Sequence, residues 1–189
     1  MLKIFKFDNT DVSNEVSDFE QKYDLQLPDS YKKFLLKYNG GNTPKSTFKI
    51  NGVSSDIRAF YGFKNATKEY NFSYLVEMNY FEELLENHYL PIATDSFGNQ
   101  IVITISEKNN GEIYFFDSEK SEYEYLTKTL EEFFDNVKSK KFVIRSIEER
   151  INGMKESGSD IEVDEELLGL WQNEIDKYLD GKQEKVLLD

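Results

Sequence analysis

The chain has 189 residues, no cysteine, and 36 acidic against 23 basic side chains, for a net charge of −13. Its length suits one domain with an appendage. The missing cysteine excludes a disulfide framework, a thiolate nucleophile and any Cys-ligated zinc or iron–sulfur site, and the acidic surface repels the phosphates of nucleic acid.

No run of apolar residues is long enough to span a membrane, and the N-terminal stretch MLKIFKFDNTDVSNEV has neither the apolar core nor the small-residue cleavage site of a secretory leader. The expectation is a protein of the cytoplasm. With 15 Phe and 12 Tyr, the core is expected to be built from rings.

The first helix is expected over residues 11–23. Val12, Val16, Phe19 and Tyr23 fall on one helical face, and Thr10 or Asp11 can cap the start. Leu27-Pro28 breaks the pattern, and the proline opens a second helix whose buried face is Tyr31, Phe34, Leu35 and Tyr38. Asn39-Gly40-Gly41 ends it, since Gly and Asn accept the left-handed backbone of a helix terminus. Short strands are expected at 47–51 and 57–63, followed by a helix over 74–85 with Leu75, Met78, Phe81 and Leu85 in register.

Residues 90–126 read as an antiparallel meander. A turn at Asp95-Ser96-Phe97-Gly98-Asn99 separates two strands, and Asn109-Asn110-Gly111 is a hairpin signal joining residues 101–105 to 112–116. A helix near 129–137 places Leu130, Phe133, Phe134 and Val137 on one side. After Lys140-Lys141 the character changes. Residues 148–189 carry 13 acidic and 5 basic side chains. A helix is expected over 142–154, a flexible link over 155–160, and a helix over 163–179 holding the single Trp171. Phe142, Ile144, Ile147 and Ile151 stripe the first of these helices; Leu167, Leu168, Trp171, Ile175 and Leu179 stripe the second. The expected division is a domain over 1–141 and an acidic helical extension over 142–189.

Three segments, LQLPDSYKKFLLKYNGG at 25–41, LPIATDSFGNQIVITI at 90–105, and GEIYFFDSE followed by LTKTLEEFFDNV within 111–137, resemble the SUKH superfamily. That superfamily includes fungal regulators of cell-wall synthesis and many bacterial immunity proteins. The resemblance spans roughly residues 12–138 and implies an α+β domain, an antiparallel or mixed sheet flanked by helices, with the extension outside it. One departure is Asn99, where the family often has an acidic residue after the glycine.

Catalytic signatures are missing from the sequence. There is no Walker loop, GxGxxG or GxSxG. His88 is the single histidine, too few for a His-rich metal site, and it sits at a helix end. Glu82-Glu83, Glu131-Glu132 and Glu165-Glu166 are neighbours on helices and point apart, which suits solvated faces more than acid–base pairs. The acidic run 160–166 lacks the glycine and the later bidentate acid of a calcium loop. No enzyme, cofactor or metal site is expected.

The candidate site is a partner surface. Asp117, Glu119, Glu122 and Glu124, interleaved with Tyr123 and Tyr125, put aromatic anchors inside an acidic rim, as a surface for a basic protein requires. The same run also fits a solvated loop and edge strand. Asp95 suits a backbone-bonding role in its turn, with partner contact as the alternative. The resemblance implies an immunity protein that binds and neutralises a cognate bacterial toxin, basic and of nuclease type, as a monomer or homodimer without contact to nucleic acid or membrane. A regulatory scaffold of the cell-wall-regulator kind is the alternative it leaves open, and an enzyme without a known signature or a small-ligand binder using an aromatic cleft is a third.

Overall fold

The helix signals around Leu27-Pro28 and the hairpin signal at Asn109-Asn110-Gly111 hold in a computed structural model, which describes residues 1–7, 11–179 and 182–188. Strand β1 (Lys3–Ile4) precedes helices α1 (Ser13–Lys22) and α2 (Asp29–Tyr38). Strands β2 (Gly41–Ile50) and β3 (Val53–Phe60), short helices α3 (Phe72–Leu75) and α4 (Phe81–Glu86), and strands β4 (Tyr89–Thr94), β5 (Gln100–Thr104), β6 (Ile113–Asp117) and β7 (Glu122–Thr127) follow. Helix α5 (Leu130–Asn136), strand β8 (Lys138–Ser139), helices α6 (Ile147–Glu156) and α7 (Glu165–Leu179), and strand β9 (Glu184–Lys185) complete the order. The fold is α+β, and each ladder between these strands is antiparallel.

Seven strands form one sheet in the order β7-β6-β5-β4-β3-β2-β8, and β1 pairs with β9. Because strands β2 to β7 each lie beside their sequence neighbour, the sheet is a meander. It curls: Asn51, in the turn after β2, donates from Nδ2 to the carbonyl of Leu126 on the far strand β7 at 3.0 Å. Inside the curl Phe34 of α2, Phe60 of β3 and Phe134 of α5 meet pairwise at ring distances of 5.3 to 5.5 Å. Phe48 packs edge-on to Phe133 at 5.5 Å, so helices from both ends of the domain share this core. A smaller apolar layer of Leu84, Val102 and Phe116 lies under α4, with Tyr80, Tyr89, Tyr114 and Tyr123 packed against it.

The Asn39-Gly40 helix stop is a lock. Asn39 takes a φ of 51°, and its side chain donates to the carbonyl of Phe63 at 2.9 Å and accepts from the Phe63 N–H at 2.7 Å. A Cβ on Gly40, at φ +73°, would stand 2.5 Å from the Tyr61 carbonyl oxygen, so only glycine fits.

Several boundaries differ from expectation. The helix over 74–85 is two pieces, α3 and α4. Phe72 and Phe81 are both buried, and nine residues of unbroken helix would set them on opposite sides; the break lets both face inward. Strand β2 begins six residues early, running straight from the helix stop through a register shift between Asn42 and Ser46 that erases the alternation. Helix α1 starts at Ser13, with Asp11 accepting the Ser13 N–H at 2.9 Å; the alternative cap Thr10 lies outside the described residues.

The chain divides into two compact units, Met1–Lys140 with Glu184–Asp189, and Lys141–Gln183. The extension therefore does not run to the C-terminus as expected: β9 joins the first unit, where Val186 is buried. In the second unit α6 begins at Ile147, behind a capping box of Ser146 and Glu149, so Phe142 and Ile144 of the expected stripe precede it. Arg150 pairs with Glu174 at 2.7 Å and lies 5.7 Å from the Trp171 ring centroid, joining α6 to α7. The side chain of Leu179 lies outside the described residues.

Candidate protein-binding site

Strand alternation decides what β6 and β7 present. Tyr114 stands opposite Tyr125, and Phe116 opposite Tyr123, on the sheet face away from the main core. Phe115 and Leu126 point to the core instead by the same alternation, and the register shift between Ile113 and Tyr114 then sets the buried Thr127 opposite Ile113. The outer face is consequently a band of rings. Tyr89 stacks on Tyr123 at 4.3 Å and meets Tyr114 edge-on at 5.3 Å; Tyr114 meets Tyr125 at 5.4 Å, and Phe116 meets Tyr123 at 4.9 Å.

Carboxylates edge this band. The Tyr114 hydroxyl donates to Glu112 Oε2 at 3.1 Å. Desolvation first, and then Glu112 as hydrogen-bond acceptor and as charge, push the Tyr114 pKa up to about 12. Desolvation also raises Tyr89, Tyr123 and Tyr125, with the charge of Glu112 adding at Tyr89 and Tyr125 and that of Glu83 at Tyr123. These phenols therefore stay neutral near pH 7, as hydroxyl donors and ring faces that suit a cation.

The seven expected residues divide by what they touch. Glu119, Glu122 and Glu124 are exposed, Tyr123 is half-buried and Tyr125 is 42% exposed. Asp117 is turned to structural work: it accepts the N–H groups of Glu119 and Lys120 at 3.0 and 3.1 Å and pairs with Lys120 Nζ at 2.7 Å. The Lys120 side chain, followed by its backbone N–H, holds the Asp117 carboxyl below the usual range. The one cation of this turn is thereby neutralised, and the free charge along β7 is negative.

Asp95 stands apart. It is only 4% exposed, and both its oxygens are occupied from within. Oδ1 accepts from the N–H groups of Phe97 and Asn99 at 2.8 and 2.9 Å; Oδ2 accepts from Ser55 Oγ at 2.7 Å and Asn99 Nδ2 at 2.9 Å. Its carboxylate is not presented for contact. Asn99 also has a physical account: its amide donates to Asp95 while its Oδ1 accepts from the Ser118 N–H at 3.1 Å. An acid there would lose that donor and set a second carboxylate against Asp95. The two turns are thus tied together.

Sequence reasoning missed Tyr89, Tyr114, Glu112 and Phe97. Tyr114 was accessible, because the Asn-Gly hairpin fixes which residues of β6 share a face with Tyr123 and Tyr125. Tyr89 was not, because it reaches the band from two strands away. His88 is exposed, at a φ of 63° where α4 gives way to β4, as befits a boundary residue. Among the described residues no group of His, Cys, Asp or Glu side chains is placed to hold a metal ion.

A pocket of about 440 Å³ lies on another side of the first unit, floored by Phe19, Phe63 and Phe72. Of its two lysines, Lys64 is taken up by Glu15 at 3.0 Å and by the Asp11 carbonyl at 2.6 Å, and Lys22 lies over the Tyr23 ring at 5.0 Å from its centroid. No helix among the described residues is long and apolar enough to cross a membrane.

The helices and meander that carry these surfaces correspond to a known family. The SMI1/KNR4 family (SUKH-1) matches residues 13–136. Among curated proteins, the chain is similar to the SPbeta prophage-derived uncharacterized protein YokK of Bacillus subtilis (strain 168), at 26% identity over 182 residues, covering 86% of this chain and 90% of that one. A match running from the start of α1 to the end of α5 includes the core helices and the whole meander, and the chain belongs to the SMI1/KNR4 family (SUKH-1).

Proposed function

We propose that the protein is an immunity protein of the cytoplasm, which binds a cognate bacterial toxin domain of nuclease type and blocks it by occupying its surface. The observation that carries this reading is the ring band on the outer meander face, with Glu112 at its edge and the exposed Glu122 and Glu124 alternating with its tyrosines along β7, in a SUKH-1 chain of net charge −13. A nuclease is basic where it meets nucleic acid, so an acidic inhibitor gains association rate from the opposite field. Tyrosine rings supply area at low entropic cost once the partners meet. The similar Bacillus subtilis protein is prophage-derived, which supports a bacterial setting. The protein works by contact, as a monomer or homodimer, and needs no cofactor.

The test is purification of the full chain from its own cells, identification of the bound protein, and expression of that protein with and without this chain. Toxicity of the partner alone, abolished by co-expression, is the expected result. A bound partner that is harmless and belongs to cell-wall synthesis would replace this reading with the scaffold one.

A further inference from the structure

The turn between β4 and β5 holds its backbone firmly and shows an aromatic ring to water. Asp95 accepts the Phe97 and Asn99 N–H groups, Ser96 N donates to Asp56 Oδ1 at 3.0 Å, Ser96 Oγ donates to Asp56 Oδ2, and Gln100 Nε2 donates to the Gly98 carbonyl at 2.9 Å. The Asp95 N–H closes the turn on the Asn99 carbonyl at 3.1 Å. Gly98, at φ +86°, supplies the left-handed residue the turn needs. At its tip Phe97 is 81% exposed, the most exposed large apolar side chain among the described residues.

The fold gains little from that ring. None of the hydrogen bonds uses the Phe97 side chain, so a serine would serve the turn equally well. An exposed phenylalanine forgoes the roughly 1.5–3 kcal/mol that burial confers. What the geometry does provide is a contact residue whose backbone is already fixed, leaving only its own side-chain torsions to be lost on docking. Its surroundings give the partner's chemistry. The Asn99–Ser118 hydrogen bond ties the turn to the β6–β7 turn, where Glu119 is exposed and leads into Glu122 of β7. The turn that carries Phe97 and the turn that opens the acidic strand therefore lie side by side at one end of the sheet.

Resting on the toxin-binding reading above, we infer that Phe97 is the apolar anchor of the interface, inserting into an apolar pocket of the partner protein that is bordered by Lys or Arg. Asp95 is its positioning residue. The partner is a protein and not a membrane, because an acidic surface is repelled by anionic lipid.

The experiment uses the full chain and the protein that co-purifies with it, identified and purified separately. Phe97→Ala raises Kd about thirty-fold or more, mainly through faster dissociation. Phe97→Leu recovers most of the affinity, and neither variant lowers the melting temperature, since the residue is 81% exposed. Glu122→Lys with Glu124→Lys slows association instead. If Phe97→Ala leaves Kd within about twofold while the charge reversals still slow association, the anchor is refuted and the acidic reading stands. If neither set changes binding, both fall. Sedimentation with phosphatidylglycerol vesicles that depends on Phe97 would likewise overturn the protein-pocket assignment.

Discussion

Val186 offers a sharp test of how the C-terminal strand contributes. It is 3% exposed, its N–H donates to the Leu2 carbonyl at 3.1 Å, and Leu2 is itself fully buried. The neighbouring Leu187 carbonyl accepts from Lys37 Nζ at 2.9 Å and Tyr38 hydroxyl at 3.1 Å, seating the strand on α2. Val186→Ala removes two buried methyl groups. At about 0.8 kcal/mol each, plus a cavity contribution, the loss is about 2 kcal/mol. For a chain of this size that corresponds to a fall of roughly 4–8 °C in melting temperature. Deleting residues 184–189 removes the same burial together with the whole pairing of β1, and must cost more than the single substitution. Differential scanning calorimetry on the three proteins measures it. A melting temperature unchanged by the deletion would refute the claim that the chain's end belongs to the first unit's core.

Charge reversal at Glu122 and Glu124 slows association with the partner about tenfold at low salt, and stopped-flow traces for variant and parent converge at 1 M salt, where the screening length falls to about 3 Å. Tyr31 is fully buried and its hydroxyl has no hydrogen-bond partner among the described residues, so Tyr31→Phe leaves stability unchanged or raises it by about 1 kcal/mol in urea titration. Burial raises the pKa of Tyr31 and Tyr61, as it does for Tyr114 at about 12. A raised folded pKa leaves stability intact below the unfolded value near 10 and removes it as pH climbs toward the folded values. Circular dichroism against pH should therefore stay flat to about pH 10 and then drop, with tyrosinate absorbance growing as structure is lost.

How much of this was legible depends on the range over which each feature is encoded. The α2 stripe of Tyr31, Phe34, Leu35 and Tyr38, its Asn-Gly stop and the Asn-Gly hairpin are local signals, and the structure keeps them all. The break between α3 and α4 was hidden because the apolar residues at 75, 78, 81 and 85 imitate one helix. Only the need to bury Phe72 together with Phe81, a tertiary requirement, opens it. Strands β1, β8 and β9 have two residues each, too short for any periodicity, and exist through their partners alone. At the candidate site the acidic run along β7 could be read directly. The ring band could not, because Tyr89 joins it through the sheet order.

The β4–β5 turn shows why fold and contact can be separated in this chain. Asp95, Gly98, Asn99 and Gln100 are spent inward, on a closed set of hydrogen bonds that also fastens the β6–β7 turn through Ser118. Phe97, Glu119, Glu122 and Glu124 are turned outward and share none of those side-chain bonds. Strand geometry enforces the same division on β7, where alternation sends Leu126 to the core while Tyr125 stays half in water. A substitution among the outward residues alters what the surface binds at little cost to stability, since exposed positions without internal partners change it by about 0.5 kcal/mol at most. Substituting Asp95 or Asn99 disturbs both at once, because the scaffold and the presentation of Phe97 rest on the same bonds. In the proposed interface, specificity is therefore carried by side chains the fold does not need, on turns it holds by hydrogen bonds.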